Sequence, residues 1–134
     1  MLYVDTSALI KRYVDEPDSI RCMALLLGDP EWVTARHTQV EMRRNLTRLL
    51  VAHGARTAAL GAFAQDWRRC AVVELDEVTC ESAAAIAEST GARTLDALHL
   101  AAAVRVGGAG LSFLTFDVRQ AQAARSLGLV VLGA

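Results

Sequence analysis

Short apolar runs recur along this chain, and all but the last hand over to a longer segment of helical periodicity. Residues 2–4, 31–35, 71–75, 111–116 and 129–132 read as strands. Helices are expected over 7–14, 17–27, 38–52, 56–68, 77–89, 95–106 and 118–127. In the third of these, Met42, Leu46, Leu49 and Leu50 recur at helical spacing, and His53-Gly54 reads as its terminator. Gly91, Gly107-Gly108 and Gly128 read as later helix stops. Strands separated by helices favour parallel pairing. The pattern therefore predicts a three-layer α/β/α sandwich around a mainly parallel sheet of about five strands. Periodicity does not encode the strand order.

The totals narrow the class. A chain of 134 residues suggests one domain spanning 1–134. A hydrophobic fraction of 53% and a mean hydropathy of +0.28 supply a core and argue against disorder. No apolar run approaches the roughly 18–20 residues needed to cross a bilayer. No basic region followed by an apolar stretch opens the chain, so a cytoplasmic location and no membrane partner are expected. Cys22, Cys70 and Cys80 lack metal-type pairing and fit reduced thiols. His37, His53 and His99 are scattered and form no HExxH, so no zinc site is expected. A net charge of −1 argues against a uniformly basic nucleic-acid binder. Lys11 is the only lysine among 14 Lys+Arg, and arginines cluster at Arg43-Arg44-Arg48 and Arg68-Arg69. Arginine suits phosphate contact, although solvated helix faces account for the total more simply.

Four acids occupy special places. Asp5 ends the first apolar run, and Asp117 follows "SFLTF" just before a helix. Strand-to-helix turns of a parallel sheet lie at its carboxyl edge, where ligands bind near the switch in strand order. Asp5 and Asp117 should therefore share one edge. Asp96 sits in "RTLDALHLAAAV", a helix apolar almost all round and hence expected to be buried. A buried carboxylate is costly unless it is hydrogen-bonded, paired or metal-bound. Glu41 lies in the first turn of "TQVEMRRNL". Each acid also has an ordinary role open to it. Asp5 and Asp117 suit N-caps, and Asp96 suits the helix dipole with Thr94 as cap. Thr38-x-x-Glu41 matches a capping box, and Glu41 could pair with Arg44. If the acids share a site, each pair repels by about 4 kcal/mol at ~4 Å and an effective dielectric near 20. Such a site calls for a cation. Oxygen-only ligation points to Mg²⁺ or Mn²⁺, ions that activate water and stabilise in-line displacement at phosphorus.

Four stretches in order, "YVDTSALIK", "TQVEMRRNL", "RTLDALHLAAA" and "FLTFDVRQAQAARSLGL", resemble the PIN-domain nucleases, most closely VapC-type toxins. The Leu–Asp–Ala–x–His block is the most specific of them. The resemblance covers essentially the whole chain. It implies a PIN fold and a Mg²⁺- or Mn²⁺-dependent endoribonuclease with an acidic site of Asp5, Glu41, Asp96 and Asp117. Asp5 and Asp96 would be the principal metal ligands, and Asp117 would complete the set, directly or through water. Glu41 would hold a second metal or orient the attacking water. Ser7 and Thr115 are supporting candidates, and His99 reads as structural. RNA is the implied substrate. A cognate antitoxin is the implied partner, blocking the acidic site, and a homodimer the implied assembly. Arg12, Arg43, Arg44, Arg48 and Arg119 are candidates for holding the RNA backbone. "TFDVRQ" offers only Asp117 where some members carry an additional acid.

Four rival readings are weaker. A haloacid-dehalogenase-type phosphatase needs a second acid where this chain has Ser7, and a receiver domain needs a late lysine that is absent. A non-cleaving PIN-like RNA- or protein-binding module, or an RNA-processing nuclease without an antitoxin, would keep the fold and change the role.

Overall fold

In the computed structural model, which describes residues 1–107 and 110–134, β1 (Leu2–Val4) is the central strand of a parallel sheet. β2 (Trp32–Ala35) and β3 (Ala71–Val73) extend it on one side, β4 (Ser112–Thr115) and β5 (Val130–Gly133) on the other. The order is β3-β2-β1-β4-β5, and every pairing is parallel. The expected five-strand α/β/α architecture is borne out. The chain winds outward from β1 to β3, crosses back, and winds the other way from β4 to β5. The order thus reverses between β1 and β4, which makes that seam the crevice where an open α/β sheet takes its ligand.

Alternate strand residues feed opposite cores, as the period of two requires. Tyr3, Val33, Ala35 and Phe113 pack with α5 (Glu77–Thr90), α6 (Thr94–Val106) and α7 (Val118–Ser126). Leu2, Val4 and Leu114 pack on the other face with α1 (Thr6–Leu9), α2 (Ser19–Gly28), α3 (Thr38–Leu49) and α4 (His53–Trp67). α6 packs closely because its buried face is a run of alanines, Ala101-Ala102-Ala103, with Leu100 beside them.

Three boundaries differ from expectation. The first helix is a single turn that tightens into a 3₁₀ segment, Ile10–Arg12, as helix ends often do. α3 stops at Leu49 because Leu50 turns extended and packs into the core. His53 and Gly54 accordingly open α4 rather than ending α3. Gly91 closes α5 in the left-handed region at φ 72°, as its position suggested. Gly107 closes α6, and Gly108 lies outside the described residues.

Candidate active site at the β1–β4 seam

Asp5 ends β1 and caps α1, its side chain accepting from the Ala8 amide. Asp117 follows β4 and caps α7 through the Gln120 amide. Both acids are therefore N-caps and edge acids at once. Asp5 is 1% exposed and is held by three donors. Its Oδ1 accepts from Ser7 Oγ at 2.8 Å and Ala8 N at 2.9 Å. Its Oδ2 accepts from Thr115 Oγ1 at 2.7 Å. Ser7 Oγ and Thr115 Oγ1 also lie 3.2 Å apart. Each hydroxyl has one proton and gives it to Asp5, so that last contact carries no hydrogen bond. Both oxygens then accept from the neighbouring backbone, Ser7 from Phe116 N and Thr115 from Asp117 N. The two supporting candidates thus lock Asp5 and splice the end of β1 to the end of β4.

Three acceptor positions on Asp5 are used, leaving one on Oδ2 for a further partner. Burial nevertheless pushes its carboxyl pKa above the ordinary range, against the charge of His99 and the bonds from Thr115 and Ser7. The carboxylate is thus under-compensated, a condition that a nearby cation relieves.

Glu41 projects from the first turn of α3 into the same cleft. Its Oε1 accepts from Thr6 Oγ1 at 2.8 Å and lies 2.9 Å from His99 Nε2. His99 Nδ1 lies 2.9 Å from the Tyr3 hydroxyl. Nε2–H is placed to donate to Glu41, while Nδ1 faces the Tyr3 hydroxyl. His37, one turn before Glu41, places its Nε2 3.5 Å from the same carboxylate oxygen and 3.2 Å from the Leu95 carbonyl. Burial pushes the Glu41 carboxyl up, but the His99 bond and charge, with Thr6 and His37, outweigh it and hold the group below its usual range. Burial and the neighbouring His99 depress His37 to about 4. Glu41 is thus kept ionised by one oxygen, while Oε2 makes no hydrogen bond among the described residues.

Asp96 and Asp117 complete the group from the starts of α6 and α7. Arg93 touches both, with Nε 2.9 Å from Asp96 Oδ2 and Nη2 3.3 Å from Asp117 Oδ2. One guanidinium reaching both carboxylates shows how closely they converge. The cleft is lined by Asp5, Thr6, Ser7, Ile10, Glu41, Asn45, Asp96, His99, Asp117 and Gln120. All four acids named from the sequence face it. The donor set suits a hard divalent cation: carboxylate oxygens with positions to spare, one of them under-compensated, and two already drawing a positive group.

Three ordinary roles foreseen around these acids are not the ones adopted. Thr38 bonds Thr34 Oγ1 at 2.8 Å instead of capping α3, and Glu41 turns to His99 rather than Arg44. Thr94 does not cap α6, whose N-cap is Arg93 without a side-chain cap bond. The sequence reading also passed over five residues at or behind the cleft. Asn45 lies one turn after Glu41, His37 one turn before it, and Gln120 three residues after Asp117, spacings that put each pair on one helix face. Arg93 stands three residues before Asp96, a spacing with the same signal, whereas nothing local marks Thr6.

Of the arginines considered for the RNA backbone, Arg12 is committed elsewhere: its Nε lies 2.6 Å from Asp66 Oδ2. Arg43, Arg44 and Arg48 line the exposed face of α3 beside the cleft, where Arg44 Nη1 reaches Asn45 Oδ1 at 3.4 Å. Arg119 is exposed on α7.

An open parallel sheet with acids gathered at the reversal of its strand order defines a class of ligand-binding α/β protein. Comparison with known proteins makes the assignment specific. The PIN domain family model matches residues 2–126, and the chain belongs to that family. It is 32% identical to Ribonuclease VapC35 of Mycobacterium tuberculosis, over 98% of this chain and 96% of that protein. Its fold is similar to that of VapC20 of Mycobacterium tuberculosis, described as a sarcin–ricin loop cleaving toxin, with a TM-score of 0.76, 19% identity and complete coverage of both chains. A chain of a toxin–antitoxin complex from Klebsiella pneumoniae aligns with a TM-score of 0.69 and 15% identity, over 90% of this chain and 89% of that one.

Proposed function

We propose that this chain is a metal-dependent endoribonuclease, the toxin of a toxin–antitoxin pair, acting as one PIN-like domain over residues 1–134. The convergence of Asp5, Glu41, Asp96 and Asp117 on one cleft carries the reading. The full-length similarity to proteins named Ribonuclease VapC supports the substrate class, and the likeness to toxin–antitoxin complexes supports an antitoxin partner. A homodimer in the cytoplasm completes the reading. No helix among the described residues is long and apolar enough to cross a membrane, which fits that location.

Asp5, Asp96 and Asp117 would hold Mg²⁺, with Mn²⁺ as a substitute, and Glu41 would join them or align the incoming water. When bound, the ion would lower the pKa of water and offset charge at phosphorus. The chain's own residues supply the rest. Ser7, Thr115 and the Ala8 amide keep Asp5 in one rotamer at the cleft wall, with one acceptor position left unused before substrate arrives. Thr6 and His99 hold Glu41 by Oε1, leaving Oε2 free to accept a hydrogen bond from the incoming water and so align it. Such preorganisation avoids the cost of moving dipoles during reaction. Arg43, Arg44 and Arg48 form the local basic flank that an acidic site needs in order to attract RNA.

The test is cleavage of end-labelled structured RNAs, a tRNA and a sarcin–ricin-type hairpin among them, with Mg²⁺ or Mn²⁺. EDTA and an Asp96→Asn protein purified identically are the controls. The expected result is cleavage that stops with EDTA and falls at least about 100-fold in the variant. Equal cleavage by both proteins would mean a contaminating ribonuclease. No cleavage of any RNA by a folded wild type would favour a binding module.

A further inference from the structure

Among the described residues, Arg93 is the guanidinium that touches Asp96 and Asp117. It precedes α6, its side chain is 66% exposed, and it reaches Asp96 Oδ2 and Asp117 Oδ2 together. Asp96 sits in the first turn of α6, which follows α5, and Asp117 caps α7 after β4, so this guanidinium bridges the start of α6 and the cap of α7. An exposed arginine that makes, among the described residues, just these two ion pairs is held weakly, by about the strength of ordinary exposed pairs. A divalent ion at the same carboxylates carries twice the charge and is far smaller. Two positive groups cannot both be close to the same oxygens without mutual repulsion.

We propose that Arg93 is a displaceable internal cation: it neutralises Asp96 and Asp117 while no metal is bound, is expelled from them as the divalent ion binds, and then takes an RNA phosphate at the cleft mouth. The proposal rests on the reading of these acids as a metal centre. Its position at the N-terminus of α6 keeps the released guanidinium within a side chain's length of the cleft. Its planar fork suits two phosphate oxygens as well as it suits two carboxylates. One residue thereby limits acid–acid repulsion in the metal-free protein and couples metal loading to substrate capture.

The competing arrangement is specific. Asp96 Oδ1 makes no hydrogen bond among the described residues, so the ion could bind there while Arg93 stays on Oδ2 and merely orients the carboxylate. The two arrangements predict opposite results. In a Mg²⁺ titration of the full chain without RNA, followed by ¹H–¹⁵N spectra, displacement requires the Arg93 Nε–H signal to shift and exchange faster with water. The amides at the starts of α6 and α7 must move at the same Mg²⁺ concentration. In Arg93→Gln, Mg²⁺ should bind about three-fold tighter, while KM for RNA rises several-fold with kcat little changed. An Arg93 Nε–H that stays protected at saturating Mg²⁺, or weaker Mg²⁺ binding by Arg93→Gln, overturns displacement and leaves the metal centre standing. Mg²⁺ that perturbs none of Asp5, Asp96 or Asp117 at millimolar concentration removes the metal centre, and the proposal with it.

Discussion

His99 Nε2 lies 2.9 Å from Glu41 Oε1, and this contact ties α6 to α3 beneath the floor of the cleft. The imidazole is 2% exposed and also meets Tyr3. His99→Phe would leave the Tyr3 hydroxyl and one face of Glu41 without a partner. A loss of about 2–4 kcal/mol in urea unfolding is expected. The Glu41 carboxyl, freed from the group that lowers it while still partly buried, should titrate higher by ¹³C NMR.

Asp5 should oppose the stability of the metal-free protein. Burial raises its carboxyl pKa in the folded state above the unfolded value near 4. The folded state therefore binds the proton more tightly. Stability is highest below the unfolded pKa and falls as pH rises through the folded one. Asp5→Asn removes that penalty, and the Thr115 hydroxyl can turn to accept from the new amide. In EDTA the variant should be about 1 kcal/mol more stable than wild type at pH 7, with the gap closing below about pH 4. Urea midpoints across that range check it.

Asp66 carries the opposite sign. Its Oδ2 receives Arg12 Nε and the Tyr13 hydroxyl, each at 2.6 Å. Burial raises its carboxyl, but these two bonds outweigh it and hold the group below the usual range. Its stabilisation is present above the unfolded pKa near 4 and is lost as pH falls through the folded value. Asp66→Asn should cost about 2 kcal/mol at pH 7 and progressively less in acid. The cleft does not include Asp66, so cleavage per folded molecule should be unchanged.

Two glycines separate conformational strain from steric strain. Gly91 and Gly133 both have positive φ, 72° and 98°. A Cβ on Gly91 meets nothing within 4 Å, whereas one on Gly133 would lie 2.2 Å from the Thr115 carbonyl oxygen. Gly91→Ala should cost about 1 kcal/mol and Gly133→Ala more than about 2 kcal/mol. Only the second should disturb the Thr115 bond to Asp5. Thermal melts and cleavage rates measured side by side distinguish the two.

Much of the candidate site was legible because local rules and the proposed role coincide there. Asp5 and Asp117 stand where a strand meets a helix, so the feature that makes each an N-cap also puts it on the ligand edge. Asp96 stood out because its helix is otherwise apolar. The seam itself was not legible. β1 pairs with β4 across more than a hundred residues of chain, and no periodicity reports the crossing. The same holds for His99, whose partners Tyr3, Thr6 and Glu41 lie 96, 93 and 58 residues away. The end of α3 was misread because glycine beside histidine marks a stop only where the chain adopts a left-handed turn, and Gly54 instead continues helically into α4.

The central claim is that these four carboxylates form one divalent-metal centre, and anomalous scattering from crystals soaked in Mn²⁺ tests it most directly. A Mn²⁺ peak within about 2.0–2.3 Å of oxygens from Asp5 and Asp96, with Asp117 bound directly or through water, is predicted. Arg93 should be withdrawn from both carboxylates in the same map. A wild-type crystal with no Mn²⁺ peak in the cleft, and the acids still paired with Arg93 at saturating Mn²⁺, would contradict the account.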